Sequence, residues 1–212
     1  MATPAPRGRH LTYADLRRWP EGRRWELVHG EAHEMTPAPS IRHQEIVGTL
    51  YLLLREALEA SGCRVLVAPV DVVLAPPGTP DEAADTVLQP DVLVVCDPGQ
   101  LTETHVRGAP DLVVEVVSPA TALRDEGIKR DLYERAGVAE YWIVHPVDRV
   151  VLRYALDPQG RYGRPDVLGP RDTLRSTRFP DLAFDLADLL GPAPDAGGPP
   201  APDADASQPP TA

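Results

Sequence analysis

The chain has 212 residues, a formal net charge of −11 and a 42% hydrophobic content, enough for one domain with its own core. No apolar run approaches the roughly 20 residues that span a bilayer, and the N-terminal MATPAPRGRH lacks the apolar segment of a secretory signal. The acidic balance argues against tight non-specific duplex binding, which rests on basic contacts to phosphate, but a cluster of metal-binding carboxylates would itself be acidic.

Residues 1–10 read as a short Pro/Arg leader. Residues 192–212 hold seven prolines and no aromatic or large aliphatic residue, and so read as a disordered tail. A single folded domain is expected over 11–191. It opens with a short helix, Leu11 to Trp19, capped by Thr12 and ended by Pro20. Arg24–His29 and Glu31–Met35 flank a His29-Gly30 turn, a β-hairpin signal. The clearest helix runs from Ser40 to Ala60, because Ile46, Leu50, Leu53, Leu54 and Ala57 share one face, Ser40 can cap it and Gly62 closes it. Strand-like runs follow at Arg64–Leu74, Asp91–Val95 and Asp111–Val117, the last so apolar that burial on both faces is expected. A helix from Thr121 to Ala136, stopped at Gly137, precedes the strand Tyr141–Val144, and Val150–Leu156 with Asp166–Leu168 suggests an edge hairpin. The order helix, three strands, helix, strand (αβββαβ) describes an α/β fold with a mixed sheet flanked by helices. Cys63 and Cys96 have neither zinc-site nor disulfide-framework spacing and lie in apolar runs, so buried free thiols in a reducing cytoplasm are expected.

No phosphate-binding loop ending in Gly-Lys, no His-Glu-x-x-His and no Gly-x-Ser-x-Gly elbow is present. What remains is acidic residues at strand ends. Asp91 opens one strand after Pro90, and Glu115 lies late in the next. Antiparallel pairing would set the two carboxylates side by side, where they could share an Mg²⁺ ion through oxygen ligands. Asp111 is a weaker partner for Glu115, since four strand residues separate them by about 13 Å. Strand-end turn charges are the alternative reading, and it is weaker for Glu115, because a carboxylate inside Leu-Val-Val-Glu-Val-Val is costly unless paired or metal-bound. Lys129 is the chain's one lysine against 20 arginines. A compact ammonium can orient or deprotonate a water in ways a guanidinium does poorly; the alternative is a lysine on a solvated helix face, paired with Asp125 at i−4.

Several segments together resemble the Uma-type restriction endonuclease family, once a domain of unknown function, in the PD-(D/E)xK nuclease superfamily. They are Trp25-Glu-Leu-Val-His-Gly-Glu31, Pro37-Ala-Pro-Ser-Ile-Arg-His43, Gln89-Pro-Asp-Val92, Asp111-Leu-Val-Val-Glu-Val-Val-Ser-Pro119, Lys129-Arg-Asp-Leu-Tyr133 and Ala136-Gly-Val-Ala-Glu-Tyr-Trp-Ile-Val144. The resemblance implies a restriction-endonuclease-like core in which Asp91 and Glu115 hold Mg²⁺ (or Mn²⁺) and a lysine positions the attacking water. Val117 occupies the position of the motif lysine, so Lys129 would reach back from the following helix. His43 stands near the start of the first core helix as a candidate water or phosphate ligand, with a plain helix-start histidine as the alternative. Glu31 and Glu26 of the hairpin could approach the site or be ordinary hairpin charges.

The expected chemistry is metal-assisted hydrolysis of a nucleic-acid phosphodiester, with DNA the first candidate, and catalytic roles for Asp91, Glu115 and Lys129. Ser118 and the N-terminus of the helix after it could contact phosphate through backbone N–H groups. A cytoplasmic homodimer is expected, since two edge hairpins leave strand edges for a two-fold partner. The rival readings are a nuclease fold kept as a binding or assembly module without turnover, and a metallohydrolase acting on a small phosphoester.

Overall fold

The structure is a computed structural model that describes residues 9–20, 23–35, 40–118 and 124–191. Residues 1–8 of the leader expected over 1–10, and the expected tail over 192–212, lie outside those residues. In chain order the elements are α1 (Tyr13–Leu16), β1 (Trp25–Val28), β2 (Glu31–Glu34), α2 (Ile41–Ala57), β3 (Arg64–Val67), β4 (Asp71–Val73), β5 (Val87–Leu88), β6 (Val92–Val95), β7 (His105–Arg107) and β8 (Leu112–Val116). They continue with α3 (Arg130–Ala136), β9 (Glu140–His145), β10 (Val150–Ala155), β11 (Asp166–Leu168), β12 (Thr173–Arg175), β13 (Ala183–Asp185) and α4 (Leu186–Leu190). A π-helical turn, Arg124–Lys129, runs directly into α3.

Six strands form the main sheet in the order β11-β10-β9-β8-β6-β3, and five form a second sheet in the order β2-β1-β5-β4-β7. β8 and β9 are parallel, joined through α3, while β6 runs antiparallel to β8. Alternation along each central strand divides the core. Val92, Val94, Leu112, Val114, Trp142 and Val144 face α2 and α4 on one side. Leu93, Val95, Val113, Tyr141 and Ile143 face α3 and the second sheet on the other. β8 is buried at every position, as a strand covered on both faces must be.

Helix α2 follows from its periodicity: Ile46, Leu50 and Leu54 are buried, each contributing about 1.5–3 kcal/mol on burial. Ser40 Oγ accepts the His43 N–H at its start, and Gly62 takes a left-handed conformation beyond its end. The hairpin turn also falls where expected, with His29 and Gly30 both at positive φ (50° and 76°), the pairing that matches strand twist. The first helix is shorter than predicted, spanning Tyr13–Leu16.

Two expectations are corrected. Arg64–Leu74 is not one strand: Pro69, which has no N–H to give a ladder, separates β3 in the main sheet from β4 in the second. Cys63 and Cys96 are not free thiols but form a disulfide. Arg64 lies opposite Val95 in the β3–β6 pair, so one step further Cys63 meets Cys96. Spacing along the chain carries no trace of that register.

Candidate active site

The β6–β8 ladder sets the first feature. Val92 is opposite Val114, and continuing the register by one residue brings Asp91 against Glu115. Glu115 lies on the Val113 face of β8, turned toward α3 and the second sheet, while Asp91, just ahead of β6, is reached from α2 on the other side. Asp91 Oδ2 accepts the Val116 N–H at 2.8 Å and meets His43 Nε2 at 3.1 Å. The long helix α2 thus delivers His43 from its first turn onto Asp91. The other ring nitrogen, His43 Nδ1, is buried without a hydrogen-bond partner among the described residues.

Glu115 sits in a buried network. Its Oε1 accepts from Lys129 Nζ at 2.9 Å and from the Tyr133 hydroxyl at 3.1 Å. Lys129 Nζ is also 2.9 Å from Glu26 Oε1 and 3.3 Å from Asp125 Oδ1. The lysine is 2% exposed and Glu26 fully buried. Glu26 Oε1 further accepts the backbone N–H of Gln89 at 3.0 Å, two residues before Asp91. The π-helical turn puts Asp125 and Lys129 on one side, and its widened backbone is met by the Tyr141 hydroxyl, which donates to the Asp125 carbonyl at 3.0 Å. Such turns recur at functional sites.

Electrostatics follow from burial and crowding. Burial pushes the Glu115 carboxyl well above the usual range; Lys129 opposes this, and Asp125, Asp91 and Glu26 add to it. Burial alone would lower Lys129, but Glu115, Glu26 and Asp125 outweigh it and hold the ammonium above the ordinary lysine range. Burial, then Glu115, raises the Tyr133 phenol. Lys129 is therefore a fixed cation with its donors turned to carboxylates. That overturns the solvated-face alternative, although the i−4 pairing with Asp125 is present.

The donor set suits a hard divalent cation. Asp91 and Glu115 each have one oxygen engaged, and Asp91 Oδ1 and Glu115 Oε2 take no hydrogen bond among the described residues. Two opposed carboxylates, with water or substrate oxygens completing the shell, are what Mg²⁺ commonly takes. Among the described residues no three His, Cys, Asp or Glu side chains are arranged to hold a metal ion.

The structure thus brings together Asp91, Glu115, Lys129 and His43. It does not bring in Glu31, which is exposed on the edge strand β2 opposite Val28 and whose side chain makes no hydrogen bond or ion pair among the described residues; its hairpin neighbour Glu26 is the carboxylate at the site. Ser118 lies two residues beyond the β8 end, and the predicted start of the next helix, residues 121–123, lies outside the described residues. Asp111 is at the far end of β8, accepting from the Cys96 N–H and the Arg178 guanidinium. Tyr133 was missed; its signal is the i+4 spacing from Lys129, one helical turn away.

Among the described residues no helix is long and apolar enough to cross a membrane. The search of curated proteins finds no match. Among solved structures, the crystal structure of a "putative nuclease belonging to DUF820" from Anabaena variabilis ATCC 29413 matches with a TM-score of 0.68 and 17% identity, covering 85% of this chain and 97% of that one. The likeness shows a shared restriction-endonuclease-like α/β fold. The Uma2 family, described as "Putative restriction endonuclease", matches residues 13–187, most of the chain, and the protein belongs to that family.

Proposed function

We propose that this protein is a metal-dependent endonuclease that hydrolyses phosphodiester bonds of nucleic acid, with DNA as its first candidate substrate. The observation carrying this reading is the opposed pair Asp91 and Glu115, each with one uncommitted oxygen, backed by a buried ammonium. In this reading Asp91 and Glu115 hold Mg²⁺ or Mn²⁺. When bound, the ion supplies Lewis-acid polarisation of the scissile phosphate and lowers the pKa of a coordinated water. His43 and the Val116 N–H fix the Asp91 carboxylate, and Lys129 with Tyr133 fixes that of Glu115. In this reading Lys129 acts as a positioning residue, its ammonium 2.9 Å from Glu26 and Glu115 and 3.3 Å from Asp125. In the same reading Ser118, two residues beyond β8, contacts substrate phosphate.

Cleavage of DNA in Mg²⁺ or Mn²⁺, compared with Asp91→Ala and Glu115→Ala, tests the proposal. Metal-dependent cleavage that disappears in both variants supports it, and cleavage that survives in both sinks it. Cytoplasmic action and two-fold association belong to the same proposal. The exposed Val167 on the edge strand β11 offers a surface for the latter, and sedimentation would measure it.

A second reading, a nuclease fold serving as a binding or assembly module, is favoured by the charge of −11 and by the burial of Lys129 among three carboxylates. Metal binding without turnover on DNA, RNA or a small chromogenic phosphodiester would select it. Turnover of the small diester alone would select a phosphoester hydrolase.

A further inference from the structure

We propose that the Lys129 ammonium is a built-in second cation, seated among Glu26, Glu115 and Asp125, so that the protein takes one divalent ion where its carboxylates would otherwise take two. The inference rests on the reading above, in which Asp91 and Glu115 hold the first ion. The three carboxylates come from separate elements, β1, β8 and the π-helical turn, yet their oxygens stand 2.9, 2.9 and 3.3 Å from a single nitrogen. Carboxylates gathered this far from water are strongly unfavourable without a compensating cation.

The kind of cation matters. A tetrahedral ammonium carries three N–H donors from one point and can answer three converging acceptors, whereas a planar guanidinium fork cannot. The chain uses arginine at every other basic position and lysine only here. Hydrogen-bond spacing also explains why this cluster does not have metal-ligand geometry with the lysine in place: an ammonium keeps oxygens near 2.9 Å, and Mg²⁺ draws them to about 2.1 Å. Glu26 has a further task, since its Oε1 also holds the Gln89 N–H just ahead of Asp91. The covalent cation therefore ties the second sheet to Glu115 and, through Glu26, to the segment leading into Asp91, and it cannot dissociate.

The experiment is to count Mn²⁺ ions by calorimetry in wild type, Lys129→Ala, and Lys129→Ala combined with Glu26→Gln and Asp125→Asn. Lys129→Ala should bind one more ion than wild type, and the combined variant should lose that extra ion. A folded Lys129→Ala protein with no additional ion overturns the inference, as does an extra ion that persists in the combined variant, or two ions in wild type. Wild type that binds none, with Lys129→Ala still gaining one, would remove the nuclease reading and leave the cation seat standing. Should Lys129→Ala be unfolded without metal, far-UV circular dichroism reads the same titration. Folding driven by Mn²⁺ supports the seat, and a chain that stays unfolded at saturation counts against it.

Discussion

Asp91 and Glu115 face each other across the antiparallel β6–β8 pair, one register step beyond Val92 and Val114. Neither residue offers a metal more than a carboxylate, so the pair should act jointly. Calorimetry with Mn²⁺ should show binding to wild type that falls below detection in Asp91→Ala and in Glu115→Ala. Asp111→Ala is the control, because Asp111 sits at the opposite end of β8 on Arg178, and it should bind as wild type does. Binding kept by both site variants would mean that the ion sits elsewhere.

His43 should matter through Asp91 alone. Its ring holds the Asp91 oxygen that also accepts from Val116, and partners of metal-binding side chains typically account for about 10- to 100-fold in affinity. His43→Ala is therefore expected to weaken Mn²⁺ binding by about that factor, with the fold retained, since helix α2 is capped by Ser40 and held by Ile46, Leu50 and Leu54. Unchanged affinity would return His43 to an ordinary helix-start residue.

A buried carboxylate need not be part of the chemistry, and Glu140 shows the contrast. It is fully buried on β9, yet it accepts from Trp142 Nε1, the Ser176 hydroxyl and the backbone N–H groups of Thr177 and Arg178. It pins the segment before β13 to the main sheet. Glu140→Gln trades an acceptor for a misplaced donor, which should cost about 1–3 kcal/mol in denaturant unfolding, while Mn²⁺ affinity stays as in wild type. A variant that keeps its stability but loses metal would move Glu140 into the site.

Local signals and non-local contacts explain what could be read before folding. Helix α2 was legible from the spacing of Ile46, Leu50 and Leu54, and the opposition of Asp91 and Glu115 from two apolar strands with acidic ends. Strands as short as Val87–Leu88 and His105–Arg107 carry too few residues to show alternation, and β4 was legible only as the end of the Arg64–Leu74 run, so the second sheet was not legible as a separate layer. Glu26 reaches Lys129 only because that sheet packs over the first. Val65, Val67, Val70 and Val72 read as one continuous β-branched run although Pro69 divides it between sheets.

The disulfide has the same non-local origin and a measurable consequence. It links positions 33 apart in sequence, and closing a loop of that size is worth about 4 kcal/mol in the chain-entropy account. Reduction, or Cys63→Ser with Cys96→Ser, should lower the thermal midpoint without moving the Asp91–Glu115 register, since β3 and β6 keep four paired positions. Equal stability of oxidised and reduced protein would show that the bridge adds nothing to the fold.

Acid stability should depend on a cluster remote from the site. Asp81 accepts from Arg107 Nε and Nη2 and pairs with His105 Nε2 at 2.8 Å, its side chain only 11% exposed. The Arg107 hydrogen bonds, helped by His105 and opposed by partial burial, hold its carboxyl below the ordinary value of 3.8. A depressed carboxyl binds protons less readily in the folded chain than in the unfolded one. Its contribution is therefore fully present above 3.8 and is lost as the pH falls through the depressed value. Asp81→Asn should unfold at lower urea concentration near neutral pH and show a shallower loss of stability below pH 3.8 than wild type. Parallel curves for the two proteins through that acid range would mean that the Asp81 charge is not what ties β7 to the turn at Asp81–Ala83.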